Sequence, residues 1–140
     1  MKQFLFIFLS LVLLACSEGN QSEQSAKQAA EHFCKAFFEY DLTTAYDLCA
    51  HESQSWLRFV ATNVSQADLD VVNAQEDGPE VSVGNVRLLN EKTATADVSV
   101  SNFVSMDSLG HTAHLVNEAE YRLTLVVEDG TWKVRAEGLR

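Results

Sequence analysis

The chain has 140 residues and carries 10 Lys and Arg against 20 Asp and Glu, a formal net charge of −10 at pH 7. Such an acidic surface repels phosphate backbones, which excludes nucleic acid as a natural partner, and gains nothing electrostatically at anionic lipid. The length suits one domain with its own hydrophobic core.

The chain opens with Met1-Lys2-Gln3, continues with an apolar run from Phe4 to Leu14 and breaks at Leu13-Leu14-Ala15-Cys16. A basic start, a short apolar segment and a small residue before the break are the three parts of a secretory signal. A bilayer span takes about 20 apolar residues, and the eleven from Phe4 to Leu14 are too few. The segment closely resembles the lipobox of bacterial lipoproteins. That resemblance implies a signal peptide over residues 1–15, lipidation of Cys16 and attachment to a membrane through the lipid. Several acyl chains on one residue suffice for stable anchoring. Ser17 stands where Asp would signal retention, so by resemblance to Gram-negative sorting the destination is the outer membrane, with the domain in the periplasm. Residues 16–24 then form a lipidated polar tether and residues 25–140 the domain.

Two further cysteines, Cys34 and Cys49, make an even pair in a compartment where disulfides persist. Two helices packed as a hairpin would bring them together, and closing a loop of about 15 residues stabilises by about 3 kcal/mol. The alternative is two buried, inert thiols.

Ser25-Ala26-Lys27-Gln28 matches a helix-start pattern in which serine caps a backbone amide and Gln reaches back. Ala26, Ala29, Ala30, Phe33, Phe37 and Tyr40 then recur at helical spacing, with Cys34 and Phe38 widening the apolar stripe. Asp41 is placed to cap a second helix whose apolar face is Leu42, Ala45, Tyr46 and Cys49. Ser53 begins a third, with Trp56, Phe59, Val60 and Val64 on one side, and Ser65 to Asn73 adds another turn or two. Gly78-Pro79 ends the helical half.

From Glu80 the apolar period changes to two. Val81 and Val83, then Val86 and Leu88, alternate with a phase switch that a bulge at Gly84 explains. The next strand places Ala94, Ala96, Val98, Val100, Asn102, Val104 and Met106 on one face, and Thr93, Thr95, Asp97, Ser99 and Ser101 on the other. A third runs Ala113, Leu115, Asn117, Ala119, Tyr121, Leu123, Leu125, Val127. Asp129-Gly130 signals a tight hairpin. Counting outward from it pairs Val127 with Trp132, Leu125 with Val134 and Leu123 with Ala136. Helices followed by a meander with one apolar face predict an α+β domain, with helices packed on the concave face of a curved antiparallel sheet of about four strands.

Three segments, Ala29-Ala30-Glu31-His32-Phe33, Tyr40-Asp41-Leu42-Thr43-Thr44-Ala45-Tyr46 and Glu128-Asp129-Gly130-Thr131-Trp132-Lys133-Val134, resemble the nuclear-transport-factor-like, or cystatin-like, superfamily. Within it the chain looks most like small secreted lipoproteins of unknown function related to lumazine-binding-like domains. The superfamily includes ketosteroid isomerase and dehydratases, which implies a pocket between helices and concave sheet. Here the expected concave face offers Asn102, Asn117 and Tyr121 as hydrogen-bonding groups. Neither amide titrates, so neither serves as acid or base. The carboxylates placed on the sheet, Asp97, Glu118 and Glu120, fall on the other face.

No catalytic residue, cofactor or metal site emerges from the sequence. His111 and His114 are separated by an odd offset on a strand and so point to opposite faces, and His32 and His51 lie among the helices without ligand-spaced partners. Two function classes remain: a non-catalytic module that binds a small molecule or an envelope protein through Asn102, Asn117 and Tyr121, and an isomerase- or dehydratase-type enzyme using the same pocket. The asparagines are equally accounted for as solvated residues at the rim of the sheet.

Overall fold

A computed structural model describes residues 7–105, 113–136 and 139 of the chain, with side chains from Gly19 onward. The first six residues of the leader, Met106 and His111 lie outside the described residues.

The first helix, α1 (Ile7–Phe38), does not begin at Ser25 as the capping pattern predicts. Residues 16–24, expected to be an irregular tether, are helical and continuous with it. The only proline of the chain lies far downstream at Pro79, and a nucleated helix extends through a single glycine such as Gly19 at a cost of about 1 kcal/mol. Glu23 and Lys27 stand at the i, i+4 spacing that favours extension. Among the described residues no helix is long and apolar enough to cross a membrane.

The inward stripe of α1 follows the sequence pattern: Ala26, Ala30, Phe33, Cys34, Phe37 and Phe38 are all buried. At Tyr40 the backbone turns into the left-handed region (φ 65°), and Asp41 caps α2 (Leu42–Leu48), accepting from the Thr44 amide at 3.2 Å and the Thr44 hydroxyl at 2.7 Å. One 3-10 turn (His51–Ser53) leads into α3 (Gln54–Asn63). Here the expected apolar side is corrected: α3 buries Leu57, while Phe59 is 59% exposed. Ser53 does not cap α3 either, because its hydroxyl accepts the buried Ala136 amide at 3.1 Å. The last helix, α4 (Gln66–Asn73), begins with a reciprocal cap between Ser65 and Asp68.

The strands β1 (Glu80–Asn90), β2 (Thr93–Ser105), β3 (His114–Glu128) and β4 (Thr131–Arg135) form one antiparallel sheet in the order β1-β2-β3-β4. The helices pack on one face of this curved, open sheet, giving the α+β architecture expected. The register shift between Val83 and Val86 places the bulge at Gly84-Asn85, as the phase switch requires. Val127 pairs with Trp132 and Leu125 with Val134 across the Asp129-Gly130 turn. The ladder stops at Thr124 and Arg135, so Leu123 and Ala136 are not ladder partners although both are buried. Ala94, Ala96, Val98 and Val100 from β2, Leu123 and Leu125 from β3 and Val134 from β4 complete the core under α1.

Halfway along β2 and β3 the alternation inverts on both strands at once. Asn102 adopts a left-handed conformation (φ 55°), one that asparagine tolerates better than most residues. Beyond it Phe103 rather than Asn102 turns inward, and on the facing strand Val116 packs against the core while Asn117 is exposed. A strict two-residue period cannot anticipate one αL residue, because it rotates every later side chain to the other face.

The cysteines are likewise corrected. Cys34 and Cys49 are both buried and both free thiols, so the expected disulfide is not formed. The reason is local: Cys49 leaves α2 in extended conformation and bridges to Val134, and its thiol donates back to the Tyr46 carbonyl at 3.3 Å. Burial pushes the Cys34 thiol up to about 12. Burial also raises Cys49.

Candidate functional site

The space between helices and concave sheet, where a pocket is expected, is filled by rings. Phe38 meets Phe103 edge-on at 4.8 Å between centroids and Tyr121 at 5.5 Å. Phe37 stacks on Phe33 at 5.7 Å and on Trp56 at 5.8 Å. Ring pairs at these separations are favourable beyond their area burial.

The three residues singled out for ligand binding have separate roles. Asn102 and Asn117 occupy facing positions between the pairs Ser101–Glu118 and Phe103–Val116. The Asn102 amide nitrogen donates to the carbonyls of Asp77 at 2.8 Å and Gly78 at 3.3 Å, and its own carbonyl accepts from Gln75 Nε2 at 3.1 Å. It therefore fastens the α4–β1 connection to β2. Asn117 is exposed. Tyr121 belongs to the ring cluster. The sequence signal that could have separated them is Gly78-Pro79: a turn of that kind needs its carbonyls satisfied by something nearby.

Polar chemistry gathers instead on the outer face of the sheet. An open groove of about 490 Å³ is lined by Ser82, Gly84, Asp97, Ser99, Glu120 and Arg122, with Val98 and Tyr121 at its floor. The bulge shapes one wall, since Gly84 places no side chain opposite the Asp97 backbone. Asp97 and Arg122 are register partners joined by a 2.7 Å ion pair. The Ser99 hydroxyl donates to Glu118 at 3.1 Å. The hydrogen bond from Arg122, aided by the charges of Arg122 and Arg87, holds the Asp97 carboxyl below the usual range, and the same pair raises Arg122. With side-chain exposures of 74% for Arg122 and 43% for Asp97, water screens the pair and its contribution to stability is small. A carboxylate held ionised is a hydrogen-bond acceptor near neutrality rather than a proton shuttle.

Tyr40 donates from its hydroxyl to the Val104 carbonyl at 3.3 Å, and burial, then the negative charge of Asp68, push its pKa above the usual tyrosine value. Among the histidines, the His51 backbone amide donates to both carboxylate oxygens of Glu128 at 3.1 Å, which ties the hairpin to the start of the 3-10 turn. No group of three or more His, Cys, Asp or Glu is gathered for a metal ion among the described residues. No protein-family model, no curated protein and no solved structure matches the chain.

Proposed function

We propose that the chain is a lipid-anchored protein of the bacterial envelope, and that its domain, of the cystatin-like type, is a non-catalytic binding module for a small molecule or another envelope protein. The anchoring rests on Leu13-Leu14-Ala15-Cys16 following a short apolar run. The binding role rests on one observation: the interior that an enzyme of this kind would use for substrate is occupied by Phe38, Phe103 and Tyr121 in direct ring contact. Recognition then falls to the outer groove, where Asp97, Ser99, Glu120 and Arg122 offer acceptors and donors on rigid strands. The alternative, an isomerase- or dehydratase-type enzyme, finds support in Tyr40 and Asp68, which lie close enough for the Asp68 charge to act on the phenol. The Tyr40 hydroxyl is committed to a backbone carbonyl, and its raised pKa makes it a reluctant acid.

Metabolic labelling with a palmitate analogue tests the anchor: the wild type takes up label, and Cys16→Ser abolishes it and leaves the leader uncut. A cleaved, soluble Cys16→Ser product overturns the lipoprotein reading. Native mass spectrometry of the protein extracted from its own envelope tests the binding role. A retained ligand or partner lost on Arg122→Ala supports the outer groove; retention unaffected by that change assigns binding elsewhere.

A further inference from the structure

The two edges of the sheet are treated differently. Along β4 the chain leaving α2 closes the edge: the Ala50 amide donates to the Val134 carbonyl at 2.7 Å, Cys49 bridges to Val134 and Arg135 pairs with Glu52. The outer side of β1 has no neighbouring strand among the described residues. Open edges are ordinarily blunted by lysine, proline or covering segments, and β1 contains neither lysine nor proline over its 11 residues. Its inward residues Val81, Val83, Val86 and Leu88 are only half-buried, while their β2 partners Val100, Val98, Ala96 and Ala94 are at most 2% exposed. Apolar surface is therefore left at this edge.

The bulge determines what can sit there. In an unbroken strand, antiparallel pairing with an identical strand keeps inward residues facing inward only when paired numbers share parity. Gly84-Asn85 inserts one extra residue, so pairs that cross the bulge must instead join one even and one odd position. One such register places Val81 against Val86, both inward, and Glu80 against Arg87, both exposed on the outer face. Twofold symmetry produces each pair twice. The neighbouring register with correct faces sets Glu80 opposite Leu89, which is 56% exposed, and forfeits the charge match.

We propose that β1 is a docking edge for β1 of a second copy of this chain, running antiparallel with Glu80 opposite Arg87, which makes one continuous eight-stranded sheet. The twofold axis stands normal to the sheet, so both α1 helices stay on the same face of the assembly. Such an interface is isologous, each copy presenting the same patch.

Sedimentation equilibrium of the full chain in detergent, over a range of protein concentrations, tests this. The wild type follows a monomer–dimer equilibrium. Arg87→Glu and Glu80→Arg each turn two attractive cross-strand pairs into repulsive ones and raise the dimer Kd by about tenfold. Both residues are exposed, so circular dichroism spectra remain unchanged. The double variant Glu80→Arg/Arg87→Glu restores the pairs in reversed sense and brings the Kd back to within about threefold of wild type. A monomer at every concentration, a dimer indifferent to the single changes, or a double variant no better than the singles overturns the proposal.

Discussion

The Asn102 side chain donates a 2.8 Å hydrogen bond to the carbonyl of Asp77, across 25 residues of sequence, from a backbone held in the left-handed region. One residue thus supplies two things to the corner between α4 and the sheet: the turn that inverts β2 and the amide that satisfies the loop's carbonyls. Asn102→Ala loses both and is expected to destabilise the domain by about 2–4 kcal/mol, summing a lost hydrogen-bonding group and the left-handed strain of a Cβ residue. Asn102→Gly removes the amide and relieves the strain, recovering about 1 kcal/mol of that loss. Asn117→Ala stays within about 0.5 kcal/mol of wild type, as an exposed position should. Urea titration of the three variants checks the order.

The two core thiols react only when the fold opens. With Cys34 pushed up to about 12 and both side chains buried, little thiolate exists at pH 8 and none is accessible. Maleimide added to the native protein is expected to leave Cys34 and Cys49 unmodified over hours. The same reagent in denaturant, with no reductant present, labels both. Absence of label at both positions under denaturing conditions would show the pair to be oxidised.

Acid stability follows the two aspartates whose pKa values the fold lowers. Asp41 is held down by its hydrogen bonds from Thr44, and Asp97 by Arg122. A group whose folded pKa lies below its unfolded value contributes stability above the unfolded pKa, about 3.9 for aspartate, and loses it as pH falls through the folded one. Asp41→Asn and Asp97→Asn should therefore lower stability at neutral pH and flatten its decline below about pH 4. Melting temperatures measured between pH 2 and pH 7 read this out, and a decline as steep as that of wild type would assign the acid limb to other carboxylates.

Phe38 is the hub of the ring cluster, touching Phe37 at 5.2 Å as well as Phe103 and Tyr121. Phe38→Ala is expected to cost about 3–5 kcal/mol. It also opens an apolar cavity where a superfamily pocket would lie, and cavities of this kind admit small apolar molecules. Partial recovery of the lost stability on adding benzene or toluene, followed by calorimetry, would show that the interior is closed by this ring rather than by the backbone.

The leader, the acidic surface, the helix-then-meander order, the bulge at Gly84 and the Asp129-Gly130 hairpin were all readable from residues alone, because each rests on local pattern: period, turn chemistry or composition. The structure bears out those that bear on the fold, down to the Val127–Trp132 and Leu125–Val134 pairs. What local pattern could not decide was anything set by contacts distant in sequence. A single left-handed residue at Asn102 reversed the faces of two strands and took Asn117 out to solvent. Packing chose Leu57 over Phe59 for the core, because α3 touches the body along only one narrow line. The bridge from Cys49 to Val134 turned a thiol toward its own helix and left two plausible partners unjoined. Whether the concave side holds a ligand or a core depends on ring volumes meeting from α1, β2 and β3, and only the folded chain brings Phe38, Phe103 and Tyr121 together.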